Sequence, residues 1–295
     1  MSEYVDKIRV DWAKSDAERD AGLTTPSDIT RIDNISYGPY GTENLMDIYY
    51  LTSSKEKKNP VIVSVHGGGY VYGNKEVYQF YLMSLAQRGF TVVNFNYRLA
   101  PETRFPGCLE DTNAVMEYIL AHKDEYPMDL NNIFMVGDSA GAHMAALYSC
   151  LATNSEYADI VGIHPKKELT PKAVALNCGV YDIDQLIEKN GDPLNMAELF
   201  GEDWKKKYRR FLDTKSYVTR DFPPTFIMSA ECDFLKFELP QMAECLRNAG
   251  VTVKDKIYGD VNAPEIAHVF HCNMHFDEAK LCNDEECEFF REYIN

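Results

Sequence analysis

No apolar run in the chain comes near the roughly 20 residues that a bilayer-spanning helix needs. Met1 to Asp20 alternates charged with apolar residues where a secretory signal would carry an apolar stretch. A cytoplasmic protein with no membrane partner is the expectation. Positive charge is scarce, with 30 Lys and Arg against 46 Asp and Glu, a formal net charge of −16. Nucleic acid and anionic lipid would be repelled at long range, which leaves neutral or cationic small molecules as partners. The eight cysteines, at 108, 150, 178, 232, 245, 272, 282 and 287, include no C-x-x-C pair. Neither a zinc ribbon nor a disulfide framework is expected, and the thiols should lie in or near the core. Internal repeats and low-complexity tracts are missing too, and 45% apolar residues in 295 suit a globular α/β domain with a modest insertion.

What is present has a rhythm. Residues 1–28 carry Val5, Ile8, Val10 and Trp12 among charges, the pattern of a short amphipathic helix, followed by a linker at Thr24-Thr25-Pro26-Ser27; the segment reads as a lid. Strands are expected at Thr30–Tyr37 and Leu45–Leu51, joined through Gly38-Pro39-Tyr40-Gly41 as a hairpin. Strand runs at Val61–Val65, Thr91–Phe95, Ile133–Val136, Ala173–Asn177, Thr225–Ser229 and Val251–Tyr258 then alternate with helical stretches at Glu76–Arg88, Leu109–His122, Ala142–Tyr148 and Phe237–Ala249, with a last helix ending near Tyr293. Such alternation places helices on both faces of a largely parallel, doubly wound sheet. The span 182–219, with Trp204, Tyr208 and Phe211, is too long for a bare connection and reads as a small helical cap.

Gly137-Asp138-Ser139-Ala140-Gly141 sits between one of these strands and a helix. That is the setting in which a G-x-S-x-G turn exposes a nucleophilic serine, so Ser139 is the candidate nucleophile. A serine hydroxyl needs a base, and a histidine base needs a carboxylate to fix its tautomer and stabilise the imidazolium. Functional groups of open α/β sheets gather beyond the carboxyl ends of strands. Asp233 stands there after Thr225–Ala230, with Glu231 and Glu238 as nearby alternatives, and His268 stands after the Val251–Tyr258 strand. The resulting order of serine, acid and histidine is that of an α/β hydrolase, and it favours Asp233. His271, Cys272 and His275 follow His268; their spacing fits no common metal motif, and the two histidines read as plain helix residues. His66-Gly67-Gly68-Gly69-Tyr70 opens as a strand ends, where an oxyanion loop belongs, so the amides of Gly68, Gly69 and Ala140 are the expected donors. Tyr70, Tyr72 and Trp204 are candidates for the acyl or alcohol pocket, or else for core packing.

These motifs resemble those of the hormone-sensitive-lipase-like family of α/β-hydrolase esterases, with its HGGG and GDSAG signatures. His66–Gly69 matches the first, Gly137–Gly141 the second, and Asn96-Tyr97-Arg98-Leu99-Ala100-Pro101-Glu102 resembles the family's D-Y-R-L-A-P-E segment with Asn96 for Asp. The resemblance covers most of the chain. It implies the α/β-hydrolase fold, Ser139, Asp233 and His268 as a triad, and Arg98 and Glu102 holding a loop near the serine. Ala142, Phe237 and Val269 depart from the family pattern, and the Gly259–Ala267 connection is long. The function implied is a serine carboxylesterase acting on short-acyl esters of small or carbohydrate alcohols. The chemistry needs no metal or organic cofactor, and a homodimer stays open. An amide or formamide hydrolase with the same triad is the alternative within enzymes; a non-catalytic ligand-binding protein is the alternative outside them.

Overall fold

The computed structural model describes residues 3–191 and 196–295. Eight strands, β1 (Ile29–Ser36), β2 (Leu45–Leu51), β3 (Asn59–Val65), β4 (Thr91–Phe95), β5 (Met128–Asp138), β6 (Ala173–Asn177), β7 (Thr225–Ala230) and β8 (Val253–Tyr258), form one sheet in the order β1-β2-β4-β3-β5-β6-β7-β8. The hairpin β1–β2 is antiparallel, β2 runs antiparallel to β4, and the remaining strands are parallel. The sheet is that of the α/β-hydrolase fold.

The strand sequences explain the layering. In β3, Val61, Val63 and Val65 pack into one apolar cluster while Ile62 packs into the other, because successive side chains leave a strand on opposite faces. Helices α2 (Lys75–Gln87) and α10 (Asp277–Arg291) cover the second face; α3 (Gly107–Ala121), α4 (Ala140–Thr153), α5 (Ser155–Val161) and α9 (Glu238–Asn248) cover the first. In α4 every residue from Ala140 to Leu151 is buried, so its small Ala142, Ala145 and Ala146 let it lie close on the sheet. Asn74 caps α2, its side chain accepting from the Val77 N–H at 3.0 Å.

Two regions differ from expectation. The N-terminal helix α1 (Glu3–Arg19) runs 17 residues and is poorly amphipathic: Val5 and Ile8 are buried, but Val10 is 68% exposed. Within 182–219 the chain forms short pieces, α6 (Ile183–Asn190), α7 (Met196–Phe200), α8 (Trp204–Lys207) and two 3-10 turns. Residues 192–195 of the expected cap, like residues 1–2 of the expected lid, lie outside the described residues.

Candidate active site

β5 ends at Asp138, and α4 begins at Ala140. Between them Ser139 is held at φ 53°, ψ −120°, a conformation that costs a non-glycine residue strain of order 1–3 kcal/mol. Its neighbours make the turn possible: a Cβ on Gly137 would meet the Gly141 carbonyl oxygen at 2.4 Å, and one on Gly141 would meet the Val65 carbonyl oxygen at 2.1 Å. The Ser139 N–H donates to the Asn177 carbonyl at 2.9 Å, tying the turn to β6. The buried Glu286 carboxyl on α10 in turn accepts from the Asn177 side-chain amide at 2.6 Å.

The structure brings the three sequence candidates into one row. Ser139 Oγ lies 2.9 Å from His268 Nε2, and His268 Nδ1 lies 2.9 Å from Asp233 Oδ1. Asp233 is buried in the turn after β7, where it also accepts from the Leu235 N–H (2.9 Å) and the Ser229 hydroxyl (2.8 Å). Burial alone would raise its pKa, but the His268 hydrogen bond and charge together with these donors hold it below the ordinary carboxylate value. An ionised acceptor at Nδ1 fixes the tautomer in which Nε2 is free to accept a proton from Ser139. The alternatives stand elsewhere: Glu231 pairs with Lys236, and Glu238 is sealed off beside the Tyr181 N–H.

The glycine loop is shaped by contact as well as by freedom. Gly68 sits at φ +113°, where a Cβ would lie 2.0 Å from the Tyr72 carbonyl oxygen, and Gly69 at φ +57°. Among the described residues neither the Gly68 nor the Gly69 N–H has a hydrogen-bond acceptor, and both glycines line the same cavity as Ser139 and Ala140. Asp138 braces this loop from behind. Its carboxyl accepts from the Gly67 N–H at 3.1 Å and the Tyr78 hydroxyl at 2.8 Å, and burial pushes its pKa up to about 6. His66 stacks on Tyr97 with ring centroids 4.0 Å apart, and burial lowers its pKa to about 4.

Two neighbours of His268 are not what their sequence positions indicate. His271 lies in a 3-10 turn, fully buried, and His275 in the turn before α10, so neither is an α-helix residue. The cause is Val269, whose left-handed φ of 54° turns the chain inward directly after His268. Burial lowers the His271 pKa to about 3. Among the described residues, two trios of ligand-type side chains gather within 4.8 Å, Asp138 with His271 and Cys272, and Asp233 with Cys178 and His268. In both the carboxylate oxygens already accept protein hydrogen bonds.

A cavity of about 520 Å³ opens over Ser139. Tyr70 and Tyr72 line it, the first donating to His143 Nδ1 at 2.7 Å and the second to Asp16 Oδ2 at 2.6 Å. Trp204 does not: it is 4% exposed and packs by Phe200. Much of the opposite wall is α1, through Tyr4, Ile8, Trp12, Asp16 and Arg19. Apart from Arg19 these recur at the four-residue spacing of one helix face, the signal by which they could have been found. Glu102 serves this helix rather than the serine turn, because both its oxygens accept from Arg9 at 2.8 Å; Arg98 instead grips Asp111 and Glu110. Of the expected insertion, Leu186 reaches the cavity, as do Val180, Phe234, Leu235 and Val269 from neighbouring loops. No helix among the described residues is long and apolar enough to cross a membrane.

Comparison with known proteins agrees with this fold. An acetyl esterase of Salmonella typhi is 31% identical over 229 residues, 70% of this chain and 64% of its own length. The acetyl esterase of Salmonella schwarzengrund is 31% identical over 204 residues, 62% of this chain and 58% of its own length. The chain thus matches less than two thirds of the length of these relatives. Among solved structures, esterase B from Lactobacillus rhamnosis superposes with a TM-score of 0.90 at 23% identity, covering 99% of this chain and 97% of that one. A fungal esterase from Rhizomucor miehei follows the same fold with a TM-score of 0.77 at 21% identity, covering 97% and 90%. The BD-FAE family model matches residues 46–236, from β2 through the turn that carries Asp233, and the chain belongs to that family.

Proposed function

We propose that this protein is a serine carboxylesterase that hydrolyses short-acyl esters of small or carbohydrate alcohols. The observation that carries the reading is the Ser139–His268–Asp233 row, with both links at 2.9 Å, lying in a cavity beside two glycine N–H groups that have no acceptor among the described residues. In that reading Ser139 Oγ attacks the ester carbonyl while His268 Nε2 takes its proton. The carbonyl oxygen, now an oxyanion, lies against the N–H groups of Gly68, Gly69 and Ala140, which are held in place before the reaction begins. His268 returns the proton to the alcohol as it leaves, and water then cleaves the acyl group from Ser139 by the same path. Asp233 stays ionised throughout and stabilises the imidazolium.

A cavity of about 520 Å³ roofed by α1 has room for a small ester, and the support for a short acyl group is that the relatives at 31% identity are acetyl esterases. Esterase B has also been solved with a C4-C4 tributyrin phosphonate. A cytoplasmic location and a small-molecule partner belong to the same proposal. The decisive test is hydrolysis of aryl acetate and butyrate by Ser139→Ala, expected to lose about 10⁴-fold or more in kcat; parental rates in that variant would end the reading. His268→Ala should fall comparably while His271→Ala keeps its activity, and the reverse result would move the base.

A further inference from the structure

We infer that Phe234 forms the wall against which the leaving alcohol lies, so that the enzyme favours esters whose alcohol presents a flat apolar face, aryl and benzyl alcohols first. The inference rests on the serine-esterase reading and narrows its substrate class.

Phe234 follows Asp233 in the turn after β7. The Asp233 N–H donates to the Ala230 carbonyl and the Lys236 N–H to the Asp233 carbonyl, both at 3.1 Å, so one tight turn places both the acid and the ring beside it. The ring lies over His268, centroid to centroid 4.6 Å, tilted by 54°. Yet it is 53% exposed, while the adjoining Leu235 is 3% exposed. Half-exposed, lining the cavity and packed on the imidazole, the ring is placed to touch whatever group of the substrate lies beside His268.

The chemistry says which half of the ester that group belongs to. At the tetrahedral stage the oxyanion must face the amides of Gly68, Gly69 and Ala140. The alcohol oxygen must face His268 Nε2, because that nitrogen gives it the departing proton. The group attached to that oxygen therefore leaves past the His268 ring, and Phe234 is the side chain packed against that ring at a tilt. Val269, next in the chain and also lining the cavity, extends the same apolar surface. The acyl chain takes the remaining direction and should not sense Phe234.

The experiment compares parent, Phe234→Ala and Phe234→Tyr on acetates of benzyl alcohol, ethanol and a monosaccharide, and on ethyl acetate against ethyl butyrate. In Phe234→Ala the benzyl-to-ethyl ratio of kcat/KM should fall about tenfold, through KM, the size expected for loss of one aromatic contact. The acetate-to-butyrate ratio should stay at the parental value, and Phe234→Tyr should restore the benzyl preference. An unchanged benzyl-to-ethyl ratio, a changed acyl ratio, or a larger fall on the sugar acetate than on benzyl acetate would each overturn the assignment. If the parent hydrolyses none of these esters and takes no fluorophosphonate label, the esterase reading itself has failed. If it does both and the ratios do not move, only the role of Phe234 has.

Discussion

At the scale of single residues, the glycine loop has no room for a side chain at Gly68. Gly68→Ala must place a Cβ within 2.0 Å of a backbone oxygen at a φ of +113°, so the loop has to move and its donor moves with it. Losing one oxyanion donor costs about 10²–10³ in kcat, and that is the expected fall for Gly68→Ala on an aryl acetate, with little change in KM. Gly22→Ala is the matched comparison: its φ is +81° but the space around it is open. It should cost about 1–2 kcal/mol of stability, read by denaturant unfolding, and leave kcat alone. Ser139, the glycines and Asp233 were legible in the sequence because each sits at a strand end with a residue type its task demands. Phe234 was not, since a phenylalanine after the acid carries no signal until its exposure and its contact with His268 are seen.

At the scale of elements, α1 is tied to the body by a few directed contacts. Arg9 donates to the carbonyls of Val71 (2.8 Å) and Ala100 (3.0 Å) and to both oxygens of Glu102; Asp16 accepts from Tyr72. An exposed ion pair is worth about 0–1 kcal/mol, so the Arg9 carbonyl contacts count beside it, together with the burial of Val5 and Ile8 and the Arg19 bond to the Val77 carbonyl. Arg9→Ala should loosen the helix locally without unfolding the sheet. The expected result is faster proteolytic cleavage within the first 28 residues and a several-fold higher KM, with kcat changed less; a parental cleavage rate would show that Arg9 does not anchor α1. That this stretch is a helix was readable from its pattern, and the parallel strands from their β-branched runs. What the helix covers was not readable, because Arg9 meets Glu102 across 93 residues of chain. The span 182–219 was legible as helical but not as fragments, nor as a segment that offers Leu186 to the cavity while Trp204 turns into the core.

At the scale of the whole molecule, the buried titratable groups set how stability follows pH, and none could be recognised as buried from composition. His66, His143 and His271 are held neutral by burial, with pKa values lowered to about 4, 4 and 3. The unfolded chain therefore binds more protons than the fold up to about pH 6.5, and their contribution to stability grows with pH to that point. Four acids act the other way, Asp16 among them through its burial. Burial raises Asp138 to about 6, Glu286 to about 7 and Glu238 to about 8, so the fold binds the extra protons. Their contribution is complete below the ordinary carboxylate pKa and is lost as pH rises through those values. The two trends oppose each other below about pH 6.5; above it Glu286 and Glu238 continue the loss, joined towards pH 9 by buried thiols such as Cys108 and Cys150, whose pKa values burial raises. The thermal midpoint should peak near that pH and fall towards pH 9. Glu238 is the group to test: one of its oxygens accepts the Tyr181 N–H at 3.2 Å and the other is buried with no partner among the described residues. Glu238→Gln keeps the acceptor and removes the ionisation, so the fall between about pH 6.5 and 9 should flatten, with the largest gain over the parent above pH 8. Salt separates this from repulsion within a chain of net charge −16, since added ions screen surface charges but not a carboxyl sealed beside Tyr181. If high salt alone abolishes the decline, or Glu238→Gln leaves its slope unchanged, the buried acid is not its cause.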